Sequence, residues 1–201
     1  MQRERIAAVA AALFGGALAM LFAAAMVDGQ HRYSETPFRA VLGDERFEEL
    51  MAGLGGFPHY LGASLEAPDF TLEKRDGGSW RLSAQRGRVV VINFWNSTCR
   101  PCLEEMPSLE DLALMSERWD DVEVVTVSTD PSWETVAPFV SADSRLVQLI
   151  DPERRVVADL FGTHLYPETW IVDREGVIRF RYDGAFDWSN PVILDVIDAY
   201  R

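Results

Sequence analysis

Val89-Val90-Val91-Ile92-Asn93-Phe94-Trp95-Asn96-Ser97-Thr98-Cys99-Arg100-Pro101-Cys102 fixes more of this chain's architecture than any other segment. From Val89 to Trp95 the run is apolar apart from Asn93 and rich in β-branched residues. That pattern predicts a strand buried on both faces. Leu103 to about Trp119 then carries a helix-like pattern. The only two cysteines of the chain therefore fall between a strand's end and a helix's start. There, free backbone N–H groups and the positive end of the helix dipole stabilise a thiolate at the first cysteine. A C-x-x-C in this setting points to a redox-active dithiol. A structural zinc would need four protein ligands, and no second C-x-x-C or C-x-x-H is present.

Composition narrows the classes of partner. The formal net charge is −13, and no Lys/Arg cluster offers a phosphate-binding footprint, which argues against nucleic acid. Hydrophobic residues make up 48% of the 201 residues, enough to fill a core. Two cysteines cannot build a disulfide scaffold; they make one pair. Length suits one globular domain with an appendage.

That appendage is N-terminal. Arg3 and Arg5 precede Ile6 to Val27, which carries no charge. The run is about 22 residues, or ~33 Å as a helix, enough to span a hydrocarbon core. A cleaved signal peptide has a shorter apolar region, although Ala23-Ala24-Ala25 would serve as a cleavage site. Residues 1–27 are accordingly expected to be a transmembrane anchor or a signal sequence, with the arginines cytoplasmic and the rest exported. Residues 28–64 read as a linker or juxtamembrane segment. Within it Phe38, Val41, Leu42, Phe47, Leu50, Met51 and Leu54 recur at partly helical spacing.

The main domain is expected over 65–201. Phe70-Thr71-Leu72 and Trp80-Arg81-Leu82 flank Asp76-Gly77-Gly78 as a hairpin. Val122 to Ser128 repeats the buried-strand pattern. Trp133 to Val140 is expected to be helical, with Pro138 weakening it, and Val147 to Ile150 a short strand. Arg154 to Phe161 reads as a helix stopped by Gly162. Thr169 to Val172 and Val177 to Phe180 form a second hairpin around Asp173-Arg174-Glu175-Gly176. Pro191 to Tyr200 closes the chain as a helix capped by Asn190. Alternating strands and helices, then a hairpin and a helix, imply an α/β sandwich with a mixed sheet.

The ordered motifs resemble the thioredoxin fold. Within it they resemble the membrane-anchored, exported TlpA/ResA/CcmG-like thiol–disulfide oxidoreductases. The resemblance covers Ala67 to Tyr200. It rests on Ala67-Pro68-Asp69-Phe70, on Val91 to Trp95 before Cys99-Arg100-Pro101-Cys102, on Glu105 and Pro107, and on Pro167 to Asp173 with Gly176. The resemblance implies a three-layer sandwich with an N-terminal β-hairpin. The long span from Cys102 to Pro167 leaves room for a helix–strand insert, about Trp133 to Ile150, as in the TlpA-like group.

It also implies roles. Cys99 is the attacking thiol, and Cys102 resolves the mixed disulfide. Pro167 is cis and opposite the dithiol, leaving the Tyr166 backbone to pair with an extended substrate; this proline also keeps metals off the cysteines. Glu105 shares a helix face with Cys102 and accepts a proton or tunes the thiols; the alternative is a dipole-stabilising acid in the first turn. Arg100 adds positive charge near the thiol. Trp95, Arg100, Pro101, Tyr166 and Pro167 form the expected substrate-contacting set, with Trp95 either shielding the dithiol or belonging to the core. No cofactor beyond the Cys99–Cys102 disulfide is expected. Implied partners are exported disulfide-bearing proteins of cytochrome c maturation or copper-site assembly, a membrane thiol donor and, through the N-terminal helix, the membrane. The implied location is the periplasmic face of the inner membrane, or the soluble periplasm if the N-terminus is cleaved.

Two positions depart from thioredoxins. Asn93 stands where many have a buried aspartate, so a proton relay must use Glu105 or water. Thr98 stands where many have tryptophan, which removes an apolar face beside the nucleophile. Two other functions remain in view. A copper-binding assembly factor would use Cys99, Cys102 and His164 as ligands. A peroxiredoxin would carry a threonine three residues before its reactive cysteine, where this chain has Asn96. His31 and His59 lie outside the domain, with nothing to support a site there.

Overall fold

The computed structural model describes Met20, residues 43–48 and residues 66–201. The chain divides into two units, Met1–Glu48 and Glu49–Arg201. In the first, residues 44–48 are helical and Phe47 is buried. The remainder of the expected anchor and linker lies outside the described residues. Among the described residues no helix is long and apolar enough to cross a membrane.

The second unit is built on one seven-stranded sheet in the order β2-β1-β5-β4-β3-β6-β7. Its strands are β1 (Thr71–Lys74), β2 (Ser79–Arg81), β3 (Val89–Trp95), β4 (Val122–Ser128), β5 (Val147–Ile150), β6 (Glu168–Val172) and β7 (Ile178–Asp183). Pairing is parallel for β3–β4 and β4–β5, and antiparallel for β1–β2, β1–β5, β3–β6 and β6–β7. This is the expected mixed sheet, opened by a hairpin. Leu82, expected in the second strand, instead starts a 3-10 turn, Leu82–Gln85.

β3 is an interior strand, paired on both edges and buried at every residue. Its β-branched side chains suit that place, and each fully buried one contributes about 1.5–3 kcal/mol. The pleat divides the strand. Val90, Ile92 and Phe94 enter a core with Phe70, Trp80, Val125, Val127 and Trp170. Val91, Asn93 and Trp95 point to the other face.

α1 (Arg100–Ser116) begins three residues earlier than the apolar pattern suggests, because Pro101 fits a first helical turn and Cys99 serves as N-cap. α2 (Trp133–Val136) is a single turn, shorter than expected. Pro138 has no N–H for the next helical bond, so the helix stops there. α2 and β5 are the expected insert.

Arg155–Leu160 is a π-turn rather than an α-helix. The buried carboxylate of Asp151 takes the N–H groups of Arg155, Val156 and Val157 at 3.2, 2.9 and 2.9 Å. α3 (Pro191–Ala199) closes the unit, with Asn190 Oδ1 accepting from Val192 N at 3.0 Å. In the β6–β7 turn Gly176 has φ +86°, a left-handed backbone that glycine adopts without the strain a side chain would bring.

Candidate functional site

The site gathers where β3, β4 and β6 reach the same edge of the sheet. Trp95 pairs with Ser128, and Phe94 with Glu168, so the Cys99 loop, the turn after β4 and Pro167 share that end. The loop before Cys99 is tied down at both ends. Ser97 donates its N–H and its hydroxyl to Asp130, at 2.8 and 2.6 Å. Asp130 is buried and also accepts from Ser128 Oγ at 2.7 Å. Asn96 Oδ1 accepts from the N–H and the hydroxyl of Thr98, at 3.0 and 2.7 Å.

Cys99 and Cys102 form a disulfide, with an S–S distance of 2.00 Å. Cys102 N donates to Cys99 Sγ at 3.2 Å, so Cys99 caps α1. Cys99 is half-buried, whereas Cys102 is 0% exposed. An incoming group therefore meets Cys99 first.

Glu105, one helical turn past Cys102, is 4% exposed. Its Oε1 accepts from Asn93 Nδ2 at 2.8 Å, and the same amide donates to Thr169 Oγ1 at 2.9 Å. Its Oε2 accepts from the Phe186 N–H at 3.1 Å and from Trp188 Nε1 at 3.0 Å. Burial disfavours the charged carboxylate more than these three donors favour it, and its pKa rises from 4.5 to about 7. A carboxyl so poised can exchange a proton at neutral pH. Glu105 is thus a buried ionisable group, unlike a surface acid that complements the dipole.

The other expected residues are placed as follows. The Tyr166–Pro167 bond is cis. Tyr166 is half-buried, with the Arg154 guanidinium 5.7 Å from its ring centre. Trp95 is 1% exposed, so its side chain lies in the core and not on a substrate-facing surface. Arg100 and Pro101 are exposed. Arg100 Nε bonds Glu104 Oε1 at 2.9 Å, so part of its charge is answered by that neighbour and not by the thiol. His164 is exposed, and among the described residues no three His, Cys, Asp or Glu side chains form a group able to hold a metal ion. The Cys99–Cys102–His164 copper set is therefore not assembled.

The sequence reading missed several parts of the site. Asp130 stands just past a buried strand and before a proline, a position where a carboxylate commonly organises a turn. Phe186 and Trp188 are aromatic residues in a loop otherwise rich in turn formers. Their rings lie 5.3 Å apart and contact Tyr182 at 5.5 and 6.0 Å. Leu165, 84% exposed, precedes the cis bond. Glu168, just after it, is buried with Thr163 Oγ1 at 2.6 Å and Arg181 at 3.0 Å.

Residues 64–181 match the model of the AhpC/TSA family. The thioredoxin-like protein YneN of Bacillus subtilis is 33% identical over 117 residues, covering 57% of this chain and 67% of that protein. The thiol-disulfide oxidoreductase ResA of Oceanobacillus iheyensis is 32% identical over 139 residues, covering 67% of this chain and 68% of that protein. For ResA of Geobacillus thermodenitrificans the identity is 28% over 113 residues, and the match spans 64% of its length. The match thus spans about two thirds of the length of these relatives. Among solved structures, the exposed lipoprotein thioredoxin Etrx1 of Streptococcus pneumoniae superposes with a TM-score of 0.56 at 26% identity, covering 65% of this chain and 98% of that one. A Chlorobium tepidum protein, provisionally assigned as thiol:disulfide interchange protein DsbE, shares the fold at a TM-score of 0.62 and 24% identity, covering 71% and 100%.

Proposed function

The chain belongs to the AhpC/TSA family and stands with its thioredoxin-like thiol-disulfide oxidoreductases, and from that premise we propose that it reduces disulfides of exported proteins through Cys99 and Cys102. One observation carries the reading: a reachable cysteine at a helix N-cap is joined to a fully buried one, with a neutral-range carboxyl one turn beyond.

The cycle balances on these residues. Reduced Cys99, as thiolate, attacks one sulfur of a substrate disulfide. The second substrate sulfur leaves as a thiolate and is protonated. Cys102 gives its proton to the Glu105 carboxylate, and its sulfur attacks Cys99 Sγ. The first substrate sulfur leaves and takes up a proton. Two electrons pass to the substrate, and the Cys99–Cys102 disulfide remains. A membrane dithiol donor restores the reduced pair. No further cofactor is needed, because both electrons reside on the two sulfurs.

The uncharged run Ile6 to Val27 behind Arg3 and Arg5 supports tethering at the membrane with the dithiol outside the cytoplasm. The substrate class is exported proteins whose cysteines must be reduced before cofactor attachment, as in cytochrome c maturation or copper-site assembly. Asn96 three residues before Cys99, with Cys102 as an adjoining partner, favours dithiol exchange over peroxide reduction.

The test compares Cys99→Ser and Cys102→Ser in the full chain. Cys99→Ser abolishes turnover of a disulfide substrate. Cys102→Ser accumulates mixed disulfides, visible as adducts on a non-reducing gel. Full activity in Cys99→Ser would overturn the mechanism.

A further inference from the structure

Glu105 is held from two sides, and the two sides differ. Oε1 meets an amide, Asn93, which belongs to the rigid centre of the sheet. Oε2 meets two N–H groups from a single loop, between β7 and α3. That loop is fastened to α1 at a second point. Ser108 Oγ accepts from Trp188 N at 3.1 Å, while its own proton goes to Glu105 O, 2.7 Å away on the preceding turn of α1. Glu105 and Ser108 are three residues apart, so they share one helix face. Asn190, the cap of α3, ends the loop.

The loop acts on the carboxyl in two opposed ways. The packed rings of Tyr182, Phe186 and Trp188 keep water away and disfavour the charged form. The indole and amide N–H groups favour it, and as donors they cannot accept a proton's bond in return. Trp188 does both with one side chain and is fully buried.

We propose that Trp188 is a positioning residue for the dithiol reaction: its indole N–H holds Oε2 of Glu105 and limits how tightly the carboxyl keeps the proton it takes from Cys102. The proposal rests on the thiol-exchange reading for its meaning, but not for its test. The titratable group that faces Glu105 is Tyr182 from β7, whose hydroxyl is pushed up by burial and by the Glu105 charge; Cys102, one turn back on α1, is held in the disulfide. β3 and β6 present the uncharged Asn93 and Thr169.

The experiment is an NMR titration of the full chain, in its disulfide form, following the Trp188 indole N–H and the Glu105 carboxyl carbon. Glu105→Gln identifies both signals. In the natural chain the two signals move together, with one midpoint. Trp188→Phe keeps a ring in place and removes the donor. It raises the Glu105 midpoint by about one pH unit, tenfold in proton affinity, and shifts the pH profile of substrate reduction in the same direction. Phe186→Leu keeps its backbone donor and serves as the packing control; it leaves the midpoint where it was or lowers it. An indole signal that stays still while Glu105 titrates would overturn the proposal. So would an unchanged midpoint in a folded Trp188→Phe chain. Should the chain reduce no disulfide at all, the thiol-exchange reading fails, and the linked titration still decides the role of Trp188.

Discussion

Replacing Glu105 by glutamine changes how stability depends on pH, and the size of the change follows from the burial of this carboxyl. Its pKa rises from 4.5 to about 7 on folding, the cause being burial. The folded chain therefore binds a proton at Glu105 more tightly than the unfolded chain does. Stability from this group is fully present below about pH 4.5 and is lost as pH rises through about 7. The total is about 3 kcal/mol, at about 1.4 kcal/mol per pH unit. Glu168 is raised in the same direction by burial, so the natural chain's slope contains both groups.

The difference between natural chain and variant isolates Glu105. Glu105→Gln keeps an oxygen for the Phe186 and Trp188 donors and cannot ionise. Urea unfolding of the full chain, in its disulfide form so that no thiol titrates, is measured from pH 5 to pH 8. The stability of Glu105→Gln relative to the natural chain should improve by about 2.5 kcal/mol across that range. Parallel pH profiles for the two chains would refute the reasoning, whatever constant offset separates them.

Other changes have smaller and more local effects. Asp130→Ala strands the Ser97 and Ser128 donors and should cost about 1–3 kcal/mol in a thermal melt, with altered alkylation of reduced Cys99. Asp151→Ala removes the acceptor of three backbone N–H groups and should cost about 2 kcal/mol, with faster hydrogen exchange over Arg155–Leu160. Arg100→Ala breaks only an exposed pair with Glu104, and stability should stay within about 0.5 kcal/mol.

What the sequence made legible was governed by local chemistry. Val89 to Trp95 could only be a central strand, because seven nearly continuous apolar residues with β-branching need cover on both faces. Val122–Ser128 and Val147–Ile150 follow the same rule and match residue for residue. Where side chains rewrite the backbone, the pattern misled. Pro101 and Cys99 start α1 early, Pro138 stops α2 after one turn, and the Asp151 carboxylate opens a helix into a π-turn.

The site divides in the same way. Cys99 and Cys102 announce themselves by spacing, and Glu105 by its place one turn on. Phe186, Trp188 and Asp130 meet their partners across long stretches of chain. Trp188 and Glu105 are 83 residues apart in sequence, and no periodicity encodes that contact. Trp95 shows the converse: its place four residues before Cys99 left a shielding role and a core role both open, and its burial on a strand covered on both faces decides for the core.

The most direct test of the central claim is the reduction potential of the Cys99–Cys102 couple, titrated in the full chain with glutathione and dithiothreitol buffers. A two-electron couple at or below about −220 mV is the expected result and fits a reductant recharged by a membrane donor. A value near about −120 mV would mark an oxidant of folding proteins and contradict the proposed direction of electron flow.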